Sequence, residues 1–161
     1  MTRLRARAPK GERAYGRVPR NRGKNTTLLA SMTHEGMGPS MAMVGSTKKA
    51  VFEAYVEKVL APSLRPGQVV ILDNLGAHRG ERVSELVQAR GCKLVFLPPY
   101  SPDFSPIEEA FSKIKALLRK AKARQRDTLV EAIGSALSAI TAQDAVGYFG
   151  HCGYPLGAQP S

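Results

Sequence analysis

Two acids carry the chemistry that this sequence can be asked to do. Asp73 closes the apolar run Val69–Leu72, and Glu108 follows the proline-rich loop that succeeds the apolar run Lys93–Leu97. Thirty-four residues, positions 74 to 107, lie between them. An acid at the carboxyl end of a buried parallel strand stands where open α/β sheets place their ligands. A carboxylate at a helix start can converge on the same place. Magnesium takes hard oxygen ligands and keeps several waters, so each ion needs one or two protein carboxylates plus substrate phosphate. Two such ions about 4 Å apart activate a water or a 3′-hydroxyl and stabilise the leaving oxygen. Asp73 and Glu108 therefore read as catalytic acids and as ligands of a two-metal, nuclease-like site.

Each acid also has a structural reading. An Asp after a strand can simply cap a turn. Ser105-Pro106-Ile107-Glu108 matches the S-x-x-E capping box with proline at the first helical position, and Thr128-Leu129-Val130-Glu131 repeats the pattern with no suggestion of catalysis. Glu109 is a neighbour of Glu108 that helical periodicity does not separate from it. His78, five residues after Asp73, suits either a place near phosphate or metal or a backbone hydrogen bond in a loop. Tyr100 and Phe104 read as loop packing rather than base-stacking rings. A P-loop NTPase reading of VVILD fails because no GxxxxGK[ST] occurs.

The surroundings favour a polyanion. The chain of 161 residues carries a formal charge of +11. Nine cations precede residue 25 and only Glu12 opposes them. We assign residues 1–24 to a basic arm, with Arg17, Arg20, Arg22 and Lys24 as DNA contacts. Lys113, Lys115, Arg119 and Lys120 add a cationic helix face with the same expected role, since phosphate contacts need no base-specific geometry. A solvated tail and a solvated helix face are the bland alternatives. Cys92 and Cys152 lack metal-ligand spacing. No apolar run approaches the roughly 18 residues of a membrane span, and a reducing, cytoplasmic setting fits.

The elements that must hold the acids follow from periodicity. Asn25–Thr33 and Ser40–Val44 read as a hairpin around turn chemistry at Glu35–Pro39. A helix over Lys48–Leu60, capped by Ser46 or Thr47, places Val51, Phe52, Tyr55, Val56, Val59 and Leu60 on one face. Val69–Leu72 is continuously apolar, as for a strand buried on both faces. Gly80–Ala89 is a helix, and Lys93–Leu97 the next strand, giving a parallel βαβ unit. A helix runs from Pro106 to Lys122 and another begins near Thr128. Residues after Gly147 read as irregular, with 151–161 as a tail. No internal repeat or domain boundary is visible.

VVILDNLGAH followed by LVFLPPYSPDFSPIEEAFSKIK closely resembles the DDE transposases of bacterial insertion sequences related to the mariner group. The likeness runs from RNRGKNTTLLASMT to HCGY, and the gap between the acids is the spacing this group uses between its second and third acids. The resemblance implies an α/β, ribonuclease H-like mixed sheet with flanking helices over residues 25–150. It implies metal-dependent DNA strand cleavage and strand transfer with Mg²⁺ or Mn²⁺, transposon-end and target DNA as partners, and a nucleoid-associated location. Asp73 becomes the second catalytic acid and Glu108 the third. Ser105 stands where the family usually has Asn. The family's first aspartate lies on a strand ahead of a segment like MTRLRARAPKG, so the expected domain is incomplete, lacking its first, central strand. Inactivity of the chain alone is the corresponding expectation, unless frameshifting joins it to an upstream frame; a homodimer or pairing with an upstream-frame product is the expected assembly. The alternative is a non-enzymatic DNA-binding remnant or an inhibitor of full-length transposase.

Overall fold

The computed structural model describes residues 9–11, 25–123 and 125–154. β1 (Thr26–Thr33) and β2 (Gly36–Val44) form an antiparallel hairpin. The expected turn is shorter than read: only His34 and Glu35 make it, and Gly36 already pairs with Thr33. Gly36 permits this because its φ of 127° lies in a region L side chains rarely adopt. Pro39, which has no N–H for the ladder, sits at a bulge opposite Ser31. Its carbonyl accepts hydrogen bonds from Tyr55 Oη at 2.8 Å and Ser31 Oγ at 3.3 Å.

α1 (Lys49–Tyr55) opens without a side-chain cap. Lys48 is the cap residue, so the capping role expected of Ser46 or Thr47 is not seen. The helix continues through a π-type turn, Val56–Leu60, and a 3₁₀ turn, Ala61–Ser63, where Pro62 ends it. β3 (Val69–Leu72), α2 (Glu81–Gln88) and β4 (Lys93–Phe96) give the expected parallel pair joined by a helix. Gly91 closes α2 with a φ of 69°. β3 is not buried on both faces. Val70 and Leu72 pack inward, while Val69 is 52% and Ile71 37% exposed, beside the exposed Val95 of β4. The two strand pairs remain separate sheets; no ladder joins them among the described residues.

α3 (Pro106–Ala121) follows a 3₁₀ turn at Pro102–Phe104. α4 spans Arg126–Ser138, two residues earlier than Thr128, because Gln125 is its cap residue. The first four residues of the segment expected to be irregular after Gly147 belong to a helix, α5 (Ala142–His151), while residues 155–161 of the expected tail lie outside the described residues. The cap of α5 is a true capping box: Asp144 N donates to Thr141 Oγ1 at 3.1 Å and Thr141 N to Asp144 Oδ2 at 2.9 Å.

Two cores form. Phe52, Tyr55, Val56, Leu60, Val83, Val87 and Cys92 make the first, against which Leu29, Met41, Val70, Leu72 and Leu94 pack. Ala110, Ile114, Ala136 and Ile140 make the second, covered by Leu28, Met32 and Met37. The alternation of β1 explains this: Leu29 faces one core and Leu28 the other. The hairpin is thus a wall shared by both cores.

Candidate functional site

β3 and β4 run parallel in register, Leu72 beside Phe96, so their carboxyl ends share one edge. Leu97 N donates to Leu72 O at 2.8 Å and extends the ladder one step. Asp73 leaves this edge from β3. The loop from Leu97 to Ser105 leaves it from β4 and delivers Glu108 in the first turn of α3. The topology thus sends both acids from the same edge of one parallel pair.

Asp73 is held on one oxygen. Its Oδ1 accepts hydrogen bonds from Leu75 N at 3.3 Å and from His78 Nδ1. Its Oδ2 has no protein partner among the described residues. His78 is fixed in turn by stacking on Phe52 of α1, with ring centroids 3.9 Å apart at 29°. Phe52 is 4% exposed, which anchors this stack in the first core. Next to Asp73, the side-chain oxygen of Asn74 is buried without a hydrogen-bond partner, an orphan that normally signals an absent donor or ion.

Glu108 is exposed and its capping role is not seen. Ser105 makes no side-chain cap bond, and Glu108 N instead donates to Ser105 O at 3.0 Å. Among the described residues its carboxylate joins no ion pair. Thr128 likewise makes no box with Glu131; its hydroxyl donates to Gln125 O at 2.9 Å. Glu109 is engaged elsewhere: its Oε1 lies 2.5 Å from His151 Nδ1. That carboxylate raises the His151 pKa, by its hydrogen bond first and by its charge second. The end of α5 clasps the loop as well, since Tyr154 Oη donates to Phe104 O at 2.7 Å. Phe149 meets the Tyr154 ring edge-on, at 5.7 Å. A cavity of about 400 Å³ opens here, lined by Asp103, Ser105, Glu108, Glu109, His151 and Cys152 among others; Asp73 does not line it. His151 and Tyr154 escaped the sequence reading because the helix that carries the first and positions the second did. A search for T-x-x-D, as in Thr141–Asp144, would have started that helix.

The cationic residues divide. Arg17, Arg20, Arg22 and Lys24 lie outside the described residues. Lys113 is tied to Asp144, Nζ to Oδ2 at 2.6 Å, bridging α3 to α5. Its hydrogen bond, foremost among several causes, holds the Asp144 carboxyl down at about 2 and raises Lys113 in return. Lys115, Arg119 and Lys120 are exposed, and the latter two sit in the last turn of α3, where the helix dipole already favours them.

Hard oxygen donors at Asp73 and Glu108, with the orphaned Asn74 oxygen beside the first, suit a divalent cation of the magnesium type. Among the described residues, no three His, Cys, Asp or Glu side chains are grouped so as to hold one ion.

The fold is ribonuclease H-like, of the kind found in mariner transposase catalytic domains. The Mos1 transposase paired-end complex with left transposon end superposes with a TM-score of 0.77 at 16% identity, covering 93% of this chain and 47% of that one. The catalytic domain of Mos1 mariner transposase gives 0.65 at 14% identity, covering 80% of this chain and 69% of that one. A Mos1 mariner paired-end complex with Mn gives 0.70 at 14% identity, covering 91% and 46%. The chain belongs to the DDE superfamily endonucleases, whose family pattern matches residues 1–130. A curated relative is the Tcb1 transposase of Caenorhabditis briggsae, 26% identical over 105 residues, which are 63% of this chain and 38% of that protein. The chain therefore spans less than half the length of this relative. Among the described residues no helix is long and apolar enough to cross a membrane.

Proposed function

We propose that this chain is transposase catalytic machinery that works on DNA with Mg²⁺ or Mn²⁺, cleaving strands and transferring them to a target. Asp73 and Glu108 serve as metal ligands and catalytic acids, His78 orients Asp73, and Lys115, Arg119 and Lys120 contact phosphates. The carrying observation is the release of Glu108 from its capping role at a helix start fed by the same parallel edge as Asp73. Bound there, the ions supply an activated nucleophile and a sink for charge on the leaving oxygen. The residues contribute position: Leu75 N and His78 turn Asp73 Oδ1 toward the protein and leave Oδ2 for a ligand.

The test is uptake of Mn²⁺ followed by electron paramagnetic resonance, together with nicking of transposon-end duplex DNA. Wild type takes up Mn²⁺ more tightly than Asp73→Ala or Glu108→Ala. Equal uptake by all three sinks the ligand assignment.

A second reading has its own observation. On this reading the further acid of a complete site comes from another polypeptide, in keeping with the absence of a group of three ligands among the described residues. The chain by itself would then bind DNA without cutting it, or pair with complete transposase as an inhibitor. Nicking by the purified chain, lost in Asp73→Ala, excludes this second reading.

A further inference from the structure

α5 is tied to α3 at both ends. Lys113 Nζ meets Asp144 Oδ2 at 2.6 Å in the first turn of α5, and Glu109 Oε1 meets His151 Nδ1 at 2.5 Å in its last turn. The later residue of α3 takes the earlier residue of α5, so the two helices run antiparallel. Glu109 and Lys113 are four residues apart and share one face of α3. Beside that face lie Ala110 and Ile114, 0% and 2% exposed in the second core. α5 is seated there in its own right, with Ala145 buried and Tyr148 packed against the same core. The two pairs and the core together fix how far α3 is turned about its axis.

That angle decides which of two adjacent acids is offered to a ligand. Each residue advances about 100° around a helix, so Glu108 and Glu109 do not face the same way. Glu108 and Ser112, again four apart, form the next face, and both line the cavity at the start of α3. Glu109 lines it too, but His151 holds its Oε1. Glu108 joins no ion pair among the described residues. Periodicity leaves the two acids equivalent; a contact from a distant helix end separates them.

We infer that His151 is a positioning residue: by holding Glu109 against α5 it withdraws that carboxylate and leaves Glu108 as the acid of the pair that takes the divalent cation. The inference rests on the ligand assignment proposed above for Glu108. An ion of the magnesium type keeps several waters and needs one or two carboxylates, so a second adjacent carboxylate would compete for places that water and phosphate occupy. The His151 side chain is 80% exposed and contributes little packing, so its removal changes the tether and little else.

Mn²⁺ uptake by the full chain, read from the electron paramagnetic resonance signal of the free ion, tests this in a Glu108→Ala background. Glu108→Ala alone weakens uptake relative to wild type. Adding His151→Ala releases Glu109 into the vacated place and tightens uptake about threefold over Glu108→Ala, the scale of one net hydrogen bond. Adding Glu109→Gln to that pair removes the gain. His151→Gln, which keeps an amide donor, gives none. A purely structural His151 predicts the opposite sign, because a second lesion would weaken uptake further. The inference is overturned by a double variant that binds no tighter than Glu108→Ala, or by a gain that survives Glu109→Gln or appears equally with His151→Gln. Loss of the fold in His151→Ala, read by circular dichroism, makes His151 a packing residue and overturns it as well. Those results leave the ligand assignment standing. Glu108→Ala that takes up Mn²⁺ as tightly as wild type removes the assignment and the inference together.

Discussion

Tyr154→Phe isolates one hydrogen bond. The ring stays, with its edge-on contact to Phe149 at 5.7 Å; what disappears is the 2.7 Å bond from the hydroxyl to Phe104 O. A typical intramolecular hydrogen bond contributes a net 0.5–1.5 kcal/mol, and an exposed one falls in the lower half, about 0.5–1 kcal/mol. That energy belongs to the 3₁₀ turn that precedes α3 and Glu108. Local opening of the turn then becomes about two- to fivefold more populated. The reporters are the amides that close the turn: Phe104 N, bonded to Ser101 O at 3.3 Å, and Ser105 N, bonded to Pro102 O at 2.9 Å. Native-state hydrogen exchange followed by NMR should show both exchanging two- to fivefold faster. Leu97 N, which bonds to Leu72 O at 2.8 Å on the sheet edge, should be unaffected. Unchanged exchange at Phe104 and Ser105 refutes the clasp. Equal acceleration at Leu97 refutes its locality.

Ile114, 2% exposed in the second core, should cost about 2–5 kcal/mol when replaced by alanine, read as a lower urea midpoint at unchanged m-value. The Asp144 carboxyl, held at about 2 against an ordinary 3.8, stabilises the fold above pH 3.8 and loses that contribution as pH falls toward 2. Asp144→Asn should flatten the acid limb of a stability–pH curve, and an unchanged limb would contradict the pairing with Lys113. The pKa of His151 is raised from 6.5 by Glu109, so their pair stabilises below pH 6.5 and fades as pH rises through the folded value. An NMR titration of Glu109→Gln should return His151 toward its ordinary pKa. Gly36→Ala should destabilise by at least about 1 kcal/mol, since φ is 127° and a Cβ would come within 3.3 Å of Ile140 O; thermal melting decides this.

Periodicity located β1, β3, α2, β4 and α3 within a residue or two, because each has a clear apolar stripe or run. It failed where one signal stood for two states. Val69–Leu72 is apolar throughout, which reads as burial on both faces, yet the open face carries Val69 and Ile71. α5 went unseen because Gly147 and Gly150 interrupt its pattern, and because its cap uses Asp rather than Glu at the third position. The acids themselves were legible as types and spacing. Their freedom was not: the sequence offers Glu108 a serine to box with, and only the backbone at Ser105 shows that the bond is not made. The clasp of His151 and Tyr154 spans more than forty residues, a separation that local pattern cannot bridge.

The hairpin between the two cores has a consequence for how the molecule comes apart. Leu29 and Met41 serve one core, Leu28, Met32 and Met37 the other. Neither core can keep its packing once the two strands separate. Melting therefore propagates: a loss on the α3 side frays the strands that the α1 side needs. The two halves should share one unfolding transition despite their separate sheets, as two rooms fall together when they stand on a common wall.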